Sequence, residues 1–127
     1  MITGVDFAVV WVKDFDAAIE FYGKTLGLQE SIRYGQMPGV EFETGNLTLA
    51  VMDAAAFGQE FKPSTHPIAL RVDDVPAARA ELEAKGVVFD GETFDTGVCH
   101  MANFHDPDRN PLTLHRRYAP YSDGTTP

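Results

Sequence analysis

The chain has 127 residues, 44% of them hydrophobic and 23% charged, and its formal net charge at pH 7 is −9. This length can bury one hydrophobic core but is too short for two ordinary domains. The acidic balance would repel a nucleic-acid backbone, so we expect neither DNA nor RNA as a partner. No apolar run approaches the roughly 20 residues that cross a bilayer, and no apolar signal stretch follows a basic start, which predicts a cytoplasmic protein without a membrane partner. The single cysteine, Cys99, excludes an internal disulfide and any multi-cysteine metal site.

The first half of the chain predicts one strand, one helix and three further strands. Gly4–Val12 is rich in β-branched and apolar residues, as strands are. Apolar residues then recur at helical spacing, with Asp14 as an N-cap and Gly27 as the residue that ends the helix. The three further strands, separated by turns that contain glycine or proline, are predicted at Gln29–Tyr34, Gly39–Glu43 and Asn46–Val51.

The second half repeats this order at an offset of 60 residues. The matching pairs are Val12/Val72, Asp14/Asp74, Ala17/Ala77 and Ala18/Ala78. The predicted elements are a strand at Pro67–Val72, a helix at Val75–Lys85, and strands at Val87–Phe89, Val98–Phe104 and Pro111–Arg116. A long period with only two copies indicates duplicated βαβββ halves, because a solenoid needs three or more repeats. We expect one domain over residues 1–120, with modules at about 1–58 and 65–118, and a loose tail at 119–127.

Two motifs near opposite ends of the chain resemble one protein family. The opening stretch Val9–Gly27 contains Glu20-Phe21-Tyr22, and the turn before the last strand reads Asp106-Pro107-Asp108-Arg109-Asn110. Together with the repeat, they resemble the vicinal oxygen chelate superfamily of glyoxalases, bleomycin resistance proteins and extradiol dioxygenases, over about residues 3 to 117. The resemblance implies an α+β fold in which two βαβββ modules form a curved, cup-shaped mixed sheet. Arg109 stands where the family has glycine, and a left-handed conformation there would cost about 1 kcal/mol.

The resemblance also implies four positions for the ligands of a divalent metal, which family enzymes fill with histidine or glutamate. The aligned positions are Phe7 and Pro67 on the first strand of each module, Thr113 on the last strand, and Leu49, Thr48 or Ala50 for the fourth. None of these is His, Glu or Asp, and hydrocarbon side chains cannot coordinate a metal. We therefore expect neither a metal nor another cofactor.

Two other pairs of residues are compatible with an enzymatic function. His100 and His115 lie on neighbouring predicted strands and would form a rearranged metal site if they faced one cavity. Glu41 and Glu43 share one face of a predicted strand and would serve as a carboxylate base. The alternative function is therefore a lyase, isomerase or dioxygenase of the same superfamily, and whether the protein is an enzyme stays open.

A set of mostly aromatic residues is predicted to line the ligand cup. Side chains alternate along a strand, so Phe7 and Trp11 share a face. The predicted ligand-binding residues are Phe7, Trp11, Phe42, Phe57, His100, Phe104, Thr113 and His115, with Tyr34 and Tyr118 as further aromatic candidates. Such a set suits a flat or partly apolar ligand.

Binding without chemistry is the leading hypothesis for function. It describes a protein that resembles the bleomycin-resistance branch, lacks the usual metal site, and sequesters an aromatic or cationic compound in a cup at a homodimer interface. An acidic surface suits a cationic small-molecule ligand, and symmetric dimers are the commonest oligomers. A third hypothesis is a regulatory or subunit-interaction module that uses the fold as a scaffold.

Overall fold

The computed structural model describes residues 1–127, which form two compact units with one four-stranded sheet each. The first unit comprises Met1–Thr65 and the turn Asp106–Asn110, and the second comprises His66–His105 and Pro111–Pro127. Each sheet is mixed and accompanied by one main helical segment, so the predicted α+β fold of two βαβββ modules is confirmed. None of the helices is long and apolar enough to cross a membrane. The single domain over residues 1–120 stays a prediction.

The first unit contains one helical segment between its first and second strands. Its elements are β1 (Phe7–Val12), α1 (Phe15–Ile19), β2 (Gln29–Arg33), β3 (Gly39–Glu43) and β4 (Thr48–Asp53). A π-helical segment, Glu20–Thr25, extends α1, and a 3₁₀ turn, Ala55–Phe57, follows β4. The sheet order is β1-β4-β3-β2, in which β1 and β4 are parallel and the other neighbours are antiparallel.

The first helix begins as predicted but continues differently. The Asp14 carboxylate caps it by accepting a backbone N–H at 3.1 Å, and Gly27 has a left-handed φ of 72°. Between these residues the helix widens, because the Leu26 N–H donates to the Phe21 carbonyl at 2.8 Å, five residues back. In a wider helical turn, the angle between successive side chains is smaller. The successive residues Phe21 and Tyr22 are both buried here. The α-helical period predicted through Gly27 misses this change.

The two faces of the first sheet differ in what covers them. The face that packs against the helical segment carries the core residues Val10, Val12, Val40, Phe42, Leu49 and Val51. On this face the ring of Tyr22 lies 6.1 Å from that of Phe42. The opposite face, which we call the first open face, carries Phe7, Val9, Trp11, Ile32, Glu41, Glu43, Thr48 and Met52.

A buried network connects the turn Asp106–Asn110 to the helix and to β1. The Tyr22 hydroxyl donates to Asp106 Oδ2 at 2.8 Å, and both side chains are buried. Asn110 Nδ2 donates to the same oxygen at 2.8 Å and to the carbonyl oxygen of Trp11 at 2.9 Å. Burial and the Asp106 carboxylate raise the pKa of Tyr22 far above its usual range, so its phenol stays a donor. The sequence indicates only a turn at this position, but the turn also fixes the backbone of Trp11.

Arg109 adopts a left-handed conformation, in the position where the family has glycine. Its φ is 72°, and its side chain is exposed. The preceding residue, Asp108, accepts the backbone N–H groups of Lys13 and Asp14 on Oδ2, at 2.7 and 2.9 Å. Hydrogen bonds thus hold the turn on both sides of Arg109. The residue therefore keeps its left-handed backbone conformation, with a strain of about 1 kcal/mol.

The second unit repeats the order of the first. Its elements are β5 (Ile68–Arg71), α2 (Val75–Ala84), β6 (Phe89–Asp95), β7 (Cys99–His105) and β8 (Pro111–Arg117). The sheet order is β5-β8-β7-β6, with β5 and β8 parallel. The Asp74 carboxylate caps α2 as predicted, accepting a backbone N–H at 2.9 Å. The predicted strand at Val87–Phe89 is misplaced, because β6 begins at its last residue and runs from Phe89 to Asp95. Gly91 and its polar neighbours interrupt the apolar pattern within this strand and hide it in the sequence.

The helix α2 covers one face of the second sheet. The guanidinium carbon of Arg79 on α2 lies 4.8 Å from the centre of the Phe89 ring. This ring packs against that of Phe104, with the ring centroids 5.0 Å apart. Because side chains alternate along a strand, the opposite face is turned away from α2. This second open face carries Ala69, Arg71, Asp90, Phe94, Cys99, Met101, Asn103, His105, Pro111, Thr113, His115 and Arg117.

Candidate functional site

Three aromatic side chains meet on the first open face. Trp11 lies on β1, Tyr34 directly follows β2, and Phe57 ends the 3₁₀ turn after β4. The ring centroids of Trp11 and Phe57 are 6.3 Å apart at 50°, and those of Phe57 and Tyr34 are 6.5 Å apart at 80°. Tilted and edge-on rings at such distances stabilise one another. All three side chains are half-buried, so this aromatic wall (Trp11, Tyr34 and Phe57) keeps surface for a ligand.

Gly39 allows the Tyr34 ring to lie against the sheet. A Cβ atom at Gly39 would overlap this ring, so no larger residue fits without moving it. From this position the Tyr34 hydroxyl donates to Glu41 Oε2 at 2.7 Å. Burial and the Glu41 carboxylate raise the pKa of Tyr34 to about 12. The phenol therefore stays protonated at neutral pH and holds the Glu41 carboxylate beside the aromatic wall.

The two carboxylates of β3 differ in their surroundings. Glu43 accepts the hydroxyl groups of Ser31 and Thr48, each at 2.6 Å, and these hydrogen bonds hold the pKa of Glu43 below its usual range. A carboxylate stabilised in this way is a weak base. In Glu41, one oxygen accepts the Tyr34 hydroxyl and the other accepts no hydrogen bond. Glu41 is thus the carboxylate that can receive a cationic group of a ligand.

The predicted phenylalanine positions divide between the open face and the core. Phe7 is 56% exposed and shares the first open face with Trp11, as the alternation predicts. Phe57 contacts Trp11 in the aromatic wall. Phe42 and Phe104 have no exposed surface and pack on the helix-covered faces of their sheets. They lie outside the candidate site, because a ligand on an open face does not reach them.

His100 and His115 point to opposite faces of the second sheet. In the ladder of β7 and β8, His100 pairs with Arg116, whereas His115 pairs with Met101. Paired residues share a face and successive residues of a strand alternate, so the two histidines are on different sides. The prediction that they face one cavity is therefore wrong, and they cannot bind one metal ion together.

The residues at the positions that the resemblance assigns to metal ligands do not fit a divalent ion. Phe7 and Pro67 offer only hydrocarbon, and Leu49 is buried in the core. Thr113 is buried, and its hydroxyl donates to Asn103 Oδ1 at 2.8 Å. No group of three or more His, Cys, Asp or Glu side chains is close enough to hold an ion. The donor set lacks the imidazole and carboxylate groups that bind such metals.

His100 belongs instead to a cluster near the end of β6. Its ring lies 4.9 Å from that of Tyr118, and its Nε2 lies 3.4 Å from Asp95 Oδ2. The Tyr118 hydroxyl donates to Asp95 Oδ1 at 2.8 Å. The Gly97 N–H and then the Tyr118 hydroxyl lower the pKa of Asp95, so this carboxylate is ionised at neutral pH. The cluster uses His100 and Tyr118 within the protein, away from the second open face.

Two parts of the candidate site are not evident from the sequence. One is the close contact of Tyr34 with Gly39, and the other is the hydrogen bond from Tyr34 to Glu41. A glycine inside a strand often marks a close approach of another group to the backbone. Read with the aromatic residue five positions earlier, Gly39 provides the signal that could have located this contact.

Comparison with known proteins identifies the family. The Glyoxalase/Bleomycin resistance protein/Dioxygenase superfamily matches residues 4–114, and the chain belongs to this superfamily. The uncharacterized protein YraH of Bacillus subtilis (strain 168) is 27% identical over 117 residues, which cover 83% of this chain and 91% of YraH. TnmS3, an antibiotic binding protein from Streptomyces sp. CB03234, is 28% identical with a TM-score of 0.77, over 91% of this chain and 97% of TnmS3. A lactoylglutathione lyase from Agrobacterium tumefaciens shares the fold at 17% identity, with a TM-score of 0.76 over 91% of this chain and 94% of the lyase.

Proposed function

We propose that this protein binds a small aromatic cation on the first open face and sequesters it without chemistry. The observation that carries the proposal is the aromatic wall beside the Glu41 carboxylate, which Tyr34 holds in place. The rings offer stacking area for a flat ligand, and the carboxylate offers the opposite charge. The ring faces of Trp11 and Tyr34 also attract cations.

The charges on the first open face favour a cation over an anion. Glu41 and Glu43 lie on this face, and none of its strand residues is a lysine or arginine. Arg33, the nearest basic residue in β2, pairs with Val40 and so points to the other face. The net charge of −9 also raises the concentration of cations around the whole molecule.

The similarity to TnmS3 supports a binding role. TnmS3 is described as an antibiotic binding protein, and its identity to this chain exceeds that of the lactoylglutathione lyase. A site that binds by stacking and charge needs no metal. This agrees with the residues at the family's metal positions, which lack imidazole and carboxylate groups. The identity of the ligand beyond an aromatic cation does not follow from this similarity, because one fold serves many functions.

We further propose that two copies of the chain form a homodimer in the cytoplasm. Phe7, Val9 and Ile32 are 56%, 39% and 53% exposed on the first open face. Phe7 and Val9 lie on β1 at one edge of this face, and Ile32 lies on β2 at the other edge. Exposed apolar side chains at both edges of one sheet face favour a protein interface, and two-fold symmetric dimers are the commonest. The single unpaired cysteine, Cys99, suits a reducing compartment. Sedimentation at micromolar concentration should give twice the chain mass of 14.0 kDa, and a monomer would contradict the dimer.

The enzymatic alternative has less support than binding. A metal-dependent lyase, isomerase or dioxygenase would need His100 and His115 to coordinate one metal ion, but the two side chains lie on opposite faces of the sheet. A metal-free enzyme loses one of its two candidate bases, because the hydrogen bonds of Glu43 lower its pKa. Glu41 would have to act alone.

Isothermal titration with two acridines of opposite charge tests the proposal. 9-Aminoacridine carries a positive charge at neutral pH, whereas acridine-9-carboxylate carries a negative charge on the same ring system. We expect the cation to bind at least roughly tenfold more tightly than the anion. Trp11→Ala should weaken the binding of the cation by about 1–3 kcal/mol, because stacking and buried area are lost.

A charge-matched pair of variants isolates the role of Glu41. Glu41→Gln keeps the shape and removes the charge, and it should weaken the binding of 9-aminoacridine roughly fivefold, or about 1 kcal/mol. Glu60→Gln removes the same charge from an exposed residue of the first unit and should bind like the wild type. Equal affinities for the two acridines, or equal binding by Glu41→Gln and Glu60→Gln, would contradict the proposal.

A further inference from the structure

Four side chains form a row across the second open face. Arg71 on β5 pairs with His115 on β8, His115 pairs with Met101 on β7, and Met101 pairs with Phe94 on β6. Paired residues of neighbouring strands point to the same face, and neighbouring strands lie about 4.8 Å apart, so the row is about 14 Å long. One end of this row carries nitrogen donors, and the other end is apolar.

The row lies on the side of the sheet that α2 does not cover. Thr93, the residue before Phe94, accepts a hydrogen bond from Arg79 on α2 at 3.2 Å. Ala102, the residue after Met101, is completely buried. Since neighbours alternate, Phe94 and Met101 point away from α2. Phe94 remains 42% exposed, which is costly for a ring of this size unless another molecule covers it.

The donors at the other end of the row are not used within the protein. Arg71 is exposed and His115 is half-buried, and neither side chain forms a hydrogen bond or an ion pair. By contrast, Lys24, Arg33 and Arg79 each pair with a glutamate, in a chain with 19 acidic residues. A guanidinium group presents a planar fork that binds a carboxylate through two hydrogen bonds, and an imidazole N–H adds a third donor.

We infer that this row binds an amphipathic carboxylate. The carboxylate contacts Arg71 and His115, and the apolar part of the ligand lies on Met101 and Phe94. Two strand spacings separate Arg71 from Met101, so the ligand needs a ring or chain that begins roughly 10 Å from its carboxylate end or closer. This site has the opposite charge preference from the aromatic wall and does not rest on the proposed function.

Methyl NMR of the methionines observes the two sites separately. The chain has four methionines, of which Met52 pairs with Trp11 on the first open face and Met101 lies in the row. The full chain, labelled at the methionine methyl groups, is titrated with 4-phenylbutyrate, with neutral 4-phenylbutan-1-ol and with cationic 4-phenylbutylamine. We expect the Met101 signal to shift with 4-phenylbutyrate at roughly tenfold lower concentration than with the alcohol or the amine, because only the acid pairs with Arg71.

Two variants with equal charge change test the donor end. Arg71→Gln should raise the Kd for 4-phenylbutyrate roughly tenfold, because the guanidinium fork is lost. Lys62→Gln removes the same charge from an exposed residue of the first unit and should leave this Kd unchanged. Equal shifts of Met101 by acid and alcohol, or an unchanged Kd in Arg71→Gln, would overturn the inference. A missing response of Met52 to 9-aminoacridine would count against the aromatic wall alone.

Discussion

At the scale of single residues, the candidate site depends on a glycine that touches no ligand. Gly39 leaves room for the Tyr34 ring, and that ring both faces Phe57 and donates to Glu41. Removing that room would disturb the stacking surface and the carboxylate together. Alternation along β1 correctly predicts the face of Trp11, but no pattern in the sequence shows that Tyr34 folds back over Gly39.

Gly39→Ala should therefore weaken ligand binding without any change of charge. The new methyl group would displace the Tyr34 ring, and we expect the affinity for 9-aminoacridine to fall roughly tenfold, because stacking and the position of Glu41 are both affected. Gly4→Ala is the matched control, since a Cβ atom at Gly4 meets nothing within 4 Å. Isothermal titration checks this, and equal affinities of the two variants would show that Tyr34 does not contribute to the site.

Arg109→Gly should stabilise the protein. Glycine adopts a φ of 72° without the cost that a side chain incurs, so we expect the free energy of unfolding to rise by about 1 kcal/mol. Arg109→Ala removes the same exposed side chain but keeps the strain, and it should give no gain. Urea unfolding of both variants provides the comparison. An equal gain in Arg109→Ala would assign the effect to the side chain instead of the backbone.

The hydrogen bonds of Glu43 predict a dependence of stability on pH. They lower the pKa of Glu43 in the folded state from its ordinary value of 4.5, so the folded protein binds this proton less tightly than the unfolded chain does. The stabilisation is present in full above pH 4.5 and is lost as the pH falls through the folded-state pKa. Glu43→Gln should thus be less stable than the wild type at pH 7, and urea unfolding should show this difference shrinking in acid. Glu92→Gln, an exposed control, should show no such trend.

At the scale of elements, the turn Asp106–Asn110 acts as a clamp on the first unit. Asp106 joins the turn to the helix through Tyr22, and Asn110 joins it to β1 through the carbonyl of Trp11. A buried carboxylate is tolerated only where hydrogen bonds satisfy it, and Asp106 Oδ1 also accepts two backbone N–H groups of the turn. The backbone of Trp11, a residue of the candidate site, is therefore held from outside its own strand.

Tyr22→Phe should reveal the strength of this clamp. It removes one donor from the buried Asp106 carboxylate and should lower the free energy of unfolding by about 1–3 kcal/mol. Tyr121→Phe is the control, because the Tyr121 hydroxyl is not part of the network and the side chain is 47% exposed. Urea unfolding measures both changes. If Tyr22→Phe lowers the free energy of unfolding no more than Tyr121→Phe does, the hydrogen bond from Tyr22 does not stabilise the buried Asp106 carboxylate.

Most elements follow from the sequence, and the exceptions have physical reasons. The capped helices and the 60-residue repeat are visible as periodicity, whereas the polar stretch inside β6 hides that strand. The alternation of Glu41 with Phe42 means that only one of them can lie on the open face. The relation of His100 to His115 depends on how β7 pairs with β8, and the pattern of a single strand does not determine this register.

At the scale of the whole molecule, the net charge is acidic, but the charged residues are distributed unevenly between the two open faces. The strand residues of the first open face include two glutamates and no lysine or arginine. The second open face carries Arg71, Arg117, His105 and His115 and one acidic residue, Asp90. One chain therefore offers two chemically distinct surfaces, one suited to aromatic cations and one to amphipathic carboxylates. The acidic composition predicts that nucleic acid is not a partner, but it does not reveal either surface, because both depend on which residues share a face.

The signal of the Trp11 indole N–H tests the central claim most directly. Trp11 is the single tryptophan, so a 1H–15N spectrum contains one indole signal, and it reports on the aromatic wall. We predict that 9-aminoacridine moves this signal along a saturating curve and that Met52, its neighbour in β4, responds at the same concentrations. An indole signal that stays fixed while signals elsewhere in the protein move would contradict the proposal that the ligand binds at the aromatic wall.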